Sequence, residues 1–311
     1  MIQNPTEHDI RQRAGANWLA CGGGDGHAID DWLIAEKQLF MELNYSVVKH
    51  TFSEGGETLN KSQDPTCRFC DLKRGDQSQL TKPDGSHYTV GFSARNAHTV
   101  PTFLGNKGLF SNDECKVCNS QIFSKYENAI KVMLGPYLDA EGIKGRSNVI
   151  PLEPKDGMQP RTGSFRRDWV IKTLAKMAIS IVPQERLWEF EGTKLWLQSV
   201  ESTRLDPVVL ANPLVFSLEC ITKGERDKYG LGDRPSSITL YSKTHPDAQL
   251  FAHIFLLTVR AKSIQIIVPL TELDKRLTGE VELPFVPAFP KFLFGRAVIE
   301  DAFPEIVKSA V

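Results

Sequence analysis

The stretch that decides the fold is "RNAHTVPTFLGNKGLFSNDECKVCN", residues 95–119, taken together with "CRFC", residues 67–70. Each carries a Cys-x-x-Cys, which places two thiolates on one tight turn. Two such turns supply Cys67, Cys70, Cys115 and Cys118, the four-sulfur set that a structural zinc ion takes at roughly 2.3 Å per sulfur. An iron tetrathiolate or a redox dithiol uses the same donors, so those readings stay open. The interval from Cys70 to Cys115 holds 44 residues, longer than in a short zinc ribbon. It has room for a β-hairpin, and "SHYTVGFS" (86–93) and "AHTVPTF" (97–103) are both strand-like. The second doublet runs into "NSQIFSKYENAIKVML" (119–134), where Ile122, Tyr126, Ala129, Ile130 and Met133 share one helical face. The expected order is knuckle, hairpin, then a helix whose first turn carries Cys118, which describes a treble-clef zinc module. A module of about seventy residues with few large apolar side chains buries little, and a structural metal supplies stability that the core lacks.

The rest of the chain bounds the setting. Its 311 residues suit two domains with a small appendage, and an apolar fraction of 41% suits a packed core. A net charge of -1 does not advertise a polyanion partner, so any nucleic-acid surface must be local. No run reaches about 18 apolar residues, so no transmembrane helix is expected. The beginning, "MIQNPTEHDIRQRAG", has no basic stretch followed by an apolar one, so no secretory signal is read there. The expectation is a cytoplasmic protein with reduced thiols. Cys21 and Cys220 stand alone and read as unpaired thiols.

Residues 1–40 read as a helical hairpin: Ile10, Ala14 and Trp18 fall on one face, and Ile29, Trp32, Leu33 and Leu39 on another. Between them "CGGGDGHAID" (21–30) breaks the helix and offers Asp25 or Asp30 as a cap. No strand precedes this glycine run and no Gly-Lys-Ser/Thr follows, so it does not read as a phosphate loop, and His27 reads as a loop residue. Residues 41–66 look like a linker and 67–135 form the cysteine module. Residues 136–165 are rich in Gly, Pro and charge and read as surface chain. In the remainder, Val170, Leu174, Met177, Ala178 and Ile181 mark a helix that Pro183 ends. A second helix follows over "QERLWEFEGTKLWLQSV" (184–200), with Leu187, Phe190 and Leu195 as its apolar positions and its tryptophans in the core. Then come β-branched and aromatic runs: "PLVFSLECIT" (213–222), "SSITLYSK" (236–243), "QLFAHIFLLTVRAK" (249–262) and "SIQIIVPL" (263–270). "AKS" (261–263) suggests a tight hairpin. His245 and His253 have no partner at ligand spacing and read as packing or surface residues. The fold class is α+β, with 136–311 a helical then β-rich region.

Two resemblances follow from these motifs. "IRQRAGANWLACGGGDGHAIDDWLIAEKQL" (10–39) resembles a small bacterial domain of unknown function with an Asp-Gly-His-x-x-x-Asp-Trp-x-x-Ala-Glu pattern. More specifically, "CRFC" with "FSARNAHTVPTFLGNKGLFSNDECKVCNSQIFSKYEN" (92–128) resembles the HNH endonuclease superfamily in its treble-clef ββα-metal form. The likeness extends through "RRDWVIKTLAKMAISIVPQERL" (166–187). It implies a nuclease acting on nucleic acid, DNA first, with zinc on the four cysteines. His98 would be the general base that takes a proton from water. Asn119 would help hold a catalytic Mg2+ or Mn2+ ion, and Asn106 would orient the histidine or a phosphate. The departure is Ala97, which stands where many relatives carry an ion-binding Asp. A hard cation on one amide oxygen and water binds weakly. Asp113, Glu114 and Glu127 are the nearby carboxylates to consider. The rival expectation is a non-catalytic zinc module that binds nucleic acid or a partner protein. Residues 61–131 hold ten basic against seven acidic residues, a slight footprint for DNA. Arg95, Lys107, Lys116 and Lys125 form one candidate basic group; Arg166, Arg167 and Lys172 form another.

Overall fold

Apolar residues spaced for helices and β-branched runs spaced for strands become the helices and strands of an α+β chain. The computed structural model describes residues 1–20, 28–53, 58–59, 65–92, 97–106, 108–140, 143, 167–199, 214–218, 236–259, 262–279, 281 and 297–300. Cys21, Asp25 and His27 of the glycine run, most of 136–165, and Cys220 lie outside the described residues. The helices are α1 (Glu7–Ala20), α2 (Ala28–Asn44), α3 (Ser124–Ala140), α4 (Arg167–Ile181) and α5 (Glu191–Gln198). The strands are β1 (Tyr45–Phe52), β2 (Thr58–Leu59), β3 (Gln77–Thr81), β4 (His87–Thr89) and β5 (Phe110–Ser111), then β6 (Leu214–Leu218), β7 (Ser237–Lys243), β8 (His253–Val259), β9 (Lys262–Ile267) and β10 (Ala297–Glu300). The chain divides into two units, and neither is continuous in sequence.

The first unit comprises Met1–His50, Trp188–Glu191 and Leu205–Val311. Thr6 starts α1: its hydroxyl accepts the Asp9 N–H at 3.2 Å, satisfying an orphan donor of the first turn. α1 and α2 run antiparallel, as the pairings Arg13 to Glu42 (2.9 Å) and Asn17 to Gln38 (3.1 Å) require. Where the sequence suggests a linker over 41–66, α2 passes directly into β1. The local run "YSVVKHTF" favours a strand, and buried Asn44 fixes the junction. Its amide donates to the carbonyls of Gln3 (2.6 Å) and Phe40 (2.9 Å), its Oδ1 accepts from Gln3 N, and its own carbonyl accepts from Thr244 N at 2.8 Å.

The sheet of this unit has strand order β1-β7-β8-β9-β6-β10. β7 and β8 pair antiparallel from Ser237↔Thr258 to Ser242↔His253. β8 and β9 pair from Ile254↔Ile267 to Val259↔Lys262, so the hairpin expected at "AKS" forms. β8 and β9 are buried almost residue by residue, as strands covered on both faces are. Ile254 and Leu256 pack with Met41 and Tyr45, which brings the end of α2 onto the sheet. His253 is a packing residue: fully buried, with Nε2 2.7 Å from Glu189 and its ring 4.4 Å from Phe190.

The second unit comprises Thr51–Leu187 and Gly192–Arg204. α4 is buried on nearly every side, not on one face only. Val170, Leu174, Met177, Ala178 and Ile181 are buried as their spacing implies, and so are Ile171, Ala175 and Ile179. A helix buried on all sides, its lysines included, lies inside, with α3 packed on it. The expected helix over 184–200 is a 3-10 segment, Gln184–Phe190, followed by α5. That change of pitch rotates the faces. Leu195 is 69% exposed and Trp196 2%, while Trp188 is 54% exposed, so only one of these two tryptophans is core.

The hairpin of this unit also differs from the expected one. β4 pairs back onto β3 (Gln77↔Thr89, Thr81↔His87), while "AHTVPTF" makes a single bridge, His98↔Phe110, and then a 3-10 turn at Thr102–Leu104. "KPDGS" (82–86) makes the β3–β4 turn: Asp84 Oδ1 accepts the Ser86 N–H at 2.9 Å and Gly85 takes φ 82. Pro101 has no N–H and Thr99 already donates to Leu109, so the second segment cannot extend a ladder with "SHYTVGFS".

Phe255 is fully buried in the first unit. Phe255→Ala is expected to cost about 3–5 kcal/mol in denaturant unfolding of the full chain.

Candidate metal centre

The first Cys-x-x-Cys sits in a turn closed by the Asp71 N–H donating to Cys67 O at 2.8 Å and the Cys67 N–H donating to Leu72 O at 2.9 Å. The turn needs a left-handed residue after Cys70, and Asp71 takes it at φ 56, a conformation Asp tolerates. Lys194 holds that aspartate, its Nζ 2.8 Å from Oδ2. The second doublet follows a single bridge, Phe92↔Cys115, and enters a π-helix, Cys118–Phe123, that leads into α3. π-turns are rare and collect at functional sites. The Lys116 N–H bonds Gly91 O at 2.8 Å and the Asn119 N–H bonds Cys115 O at 3.0 Å, which fixes both sulfurs of this doublet.

The two turns bring Cys67, Cys70, Cys115 and Cys118 together, with all four sulfurs within 4.8 Å of one another and none in a disulfide. Cys67 Sγ is 3.9 Å from Cys118 Sγ, and Cys70 Sγ is 3.8 Å from Cys115 Sγ. A tetrahedron with arms of about 2.3 Å has edges of about 3.8 Å, so the cavity between the sulfurs fits one thiophilic ion. Backbone N–H groups of Cys115 and Cys118 point at Cys67 Sγ and Cys115 Sγ, each at 3.4 Å, as they would toward anionic sulfur. Hydrogen bonds from Cys115 and its neighbours hold the Cys70 thiol far below its ordinary range, while the same partners and burial push Cys118 far above it. Four sulfurs this close cannot all ionise unaided; a cation between them removes the conflict.

An Arg–Asp pair ties the two turns together beneath the sulfurs. Arg68, inside the first doublet, is 1% exposed. Its Nε lies 2.7 Å from Asp113 Oδ2, and its backbone N–H donates to Asp113 O at 2.9 Å. Its Nη1 donates to the carbonyls of Ile179 and Val182, which end α4. The guanidinium thus satisfies orphan carbonyls at the negative end of that helix. Nothing in the spacing of "CRFC" marks this arginine as interior.

The other expected site residues are placed as follows. His98 is half-buried, bridged to Phe110 through the backbone and with its ring 4.7 Å from the Phe110 ring. Asn106 is buried and braces the loop around it. Its amide donates to Val100 O (2.6 Å) and Leu109 O (3.0 Å), and its Oδ1 accepts from Gly108 N and Leu109 N. The same amide nitrogen lies 3.4 Å from His98 Nδ1. Gly105 closes the turn at φ 85, so "LGN" needs its glycine. Asn119 is half-buried on the first turn of the π-helix.

All three nearby carboxylates face cations of the chain. Asp113 holds Arg68, Glu114 lies 3.3 Å from Lys176 Nζ, and Glu127 lies 3.7 Å from the same Nζ. Burial pushes Glu114 up to about 7 against the pull of Lys176, and burial raises Glu127 as well. Ala97 is buried and offers no donor. Among the described residues the four cysteines are the one group of metal-binding side chains, so the donors beside His98 do not fit a hard divalent ion.

The basic groups also separate. Lys116 and Lys125 are exposed; Lys172 is buried, with Nζ 4.8 Å from the Tyr126 ring, 5.0 Å from the Trp196 ring and 2.8 Å from Ser199 O. It is a packed cation, not a phosphate contact. Arg95, Lys107 and Arg166 lie outside the described residues. No helix among the described residues is long and apolar enough to cross a membrane.

No protein-family model matches the chain, and no curated protein or solved structure matches it either.

Two outcomes are expected. Elemental analysis of the purified chain finds one metal ion per chain, and Cys118→Ser loses it. Arg68→Met strands Asp113 in the interior and costs about 3–5 kcal/mol in urea unfolding.

Proposed function

We propose that this chain is a cytoplasmic HNH-type nuclease that hydrolyses nucleic-acid phosphodiester bonds, DNA first, on a zinc-braced module. Zinc is the ion we assign to the four cysteines, because an all-thiolate tetrahedron with closed coordination is its structural site. The observation that carries the reading is the placement of His98 by Asn106. A buried amide holds both sides of the loop and leaves the half-buried imidazole backed by Phe110. Imidazole as a residue type can both take and give a proton near neutral pH, which suits a histidine carried on a braced loop to general-base work.

The chemistry assigned to this chain's own residues is short. His98 takes a proton from water, and the oxygen so activated attacks phosphorus while the bond to the leaving oxygen breaks. Asn106 Nδ2, 3.4 Å from Nδ1, is a donor whose two hydrogens serve Val100 O and Leu109 O, so it braces the loop under His98 and does not select the ring's tautomer. Exposed Lys116 and Lys125 supply local positive charge for the phosphate backbone. The Mg2+ or Mn2+ ion that the resemblance implies finds no matching donor set among the described residues, and no step is derived through it.

A second reading is a zinc module that binds nucleic acid or a partner protein without cutting. Ala97 and the engagement of Asp113, Glu114 and Glu127 by the chain's own cations favour it.

The experiment is an assay of the zinc-loaded chain on single- and double-stranded DNA and RNA, with and without added magnesium or manganese. Cleavage that falls about 10²–10⁴-fold in His98→Ala supports the nuclease. No cleavage under any condition, with retained binding in the absence of added divalent ion, supports the second reading. Cleavage unchanged by His98→Ala sinks the role of His98.

A further inference from the structure

Helix α4 carries Lys176 into the interior of the second unit, where its side chain is 1% exposed. A single ammonium there meets three segments. Nζ donates to the main-chain carbonyl of His98 at 2.7 Å. It stands 3.3 Å from Glu114 Oε2, in the residue next to Cys115, and 3.7 Å from Glu127 Oε1 on α3. Phe123 closes the other side, its ring centroid 5.8 Å from Nζ.

Packing alone does not account for this lysine. Its neighbours along α4, from Ile171 to Ile179, are chiefly buried aliphatics, and a methionine would fill the same volume without a buried charge. What a methionine cannot do is donate to the His98 carbonyl. That bond fixes the peptide beneath the imidazole from one side. Asn106 fixes the loop after it, and the Phe110 bridge fixes the strand across it. A general base works only when its ring is held within hydrogen-bond reach of the water it activates. The two glutamates then have a clear purpose: they hold the ammonium in place and offset its charge.

We propose that Lys176 is the positioning residue of His98: it locks the main chain under the imidazole and so sets where the ring stands. The role is the nuclease reading carried one residue deeper, and it rests on that reading.

The test uses the full-length chain with its metal, labelled with nitrogen-15 in histidine. The His98 signals are identified by their loss in His98→Ala. Lys176→Met is expected to keep one metal ion per chain, to lower kcat at least tenfold with KM within about twofold, and to move the His98 ring-nitrogen shifts. Lys176→Arg, whose guanidinium still donates to the same carbonyl, is expected to recover most of both. If Lys176→Met does not fold, Glu127→Gln loosens the ammonium from its rim and is expected to move the His98 signals in a smaller step. Unchanged His98 ring signals in the variant that folds overturn the proposal, as does an unchanged kcat. If the native chain cuts nothing, the nuclease reading has failed by itself. The ring signals then still decide whether Lys176 positions His98.

Discussion

Four sulfurs held within 4.8 Å are the constraint on which the second unit depends. They come from two turns separated by 44 residues of chain, and bringing those turns together fixes everything between them. The β3–β4 hairpin, the Asn106 loop and the bridge at Phe110 all lie in that interval. Closing it costs chain entropy, which grows slowly with length, while an ion bound by four thiolates returns more than that cost. The π-helix Cys118–Phe123 carries the last of these sulfurs and leads into α3, which packs on α4.

Around this centre the unit buries several cations, and three of them show a definite set of acceptors. Arg68 is matched by Asp113 and the end of α4, Lys176 by Glu114, Glu127 and a carbonyl, and Lys172 by Ser199 O and two aromatic rings. A buried charge is a weak source of stability but a strong source of specificity, because any other packing strands it. That is why α4 cannot rotate freely as an apolar helix might. Its lysines accept one azimuth only.

The cysteine doublets, the α4 apolar face and the strands of the last third were legible because each depends on local spacing. Cys67 and Cys70 mark a turn by themselves, and "SITLYSK" or "IQIIV" reads as a strand without knowledge of its neighbours. The hairpin partner of "SHYTVGFS" was missed although its turn signal, "KPDGS", is local, because the polar run "QSQLT" (77–81) lacks the alternating apolar residues that mark a strand. The split of "QERLWEFEGTKLWLQSV" into a 3-10 turn and a short helix was also hidden, and with it the exchange of Leu195 for Trp196 in the core. Lys172, grouped by charge with Arg166 and Arg167, turned out to be interior, because charge in a sequence carries no sign of direction.

The sequence by itself determined that this protein has a four-cysteine site, a helical beginning and an α+β class. Those are properties of residue type and short-range spacing, which covalent geometry and helix or strand periodicity translate directly. Only the tertiary structure decided that Asn106 is a loop brace beside His98, that Asp113, Glu114 and Glu127 face cations of the chain, and that Lys176 reaches the His98 carbonyl. The physical reason is that a buried polar group must find a partner wherever the packed chain brings one, and those partners stand up to about eighty residues away in sequence.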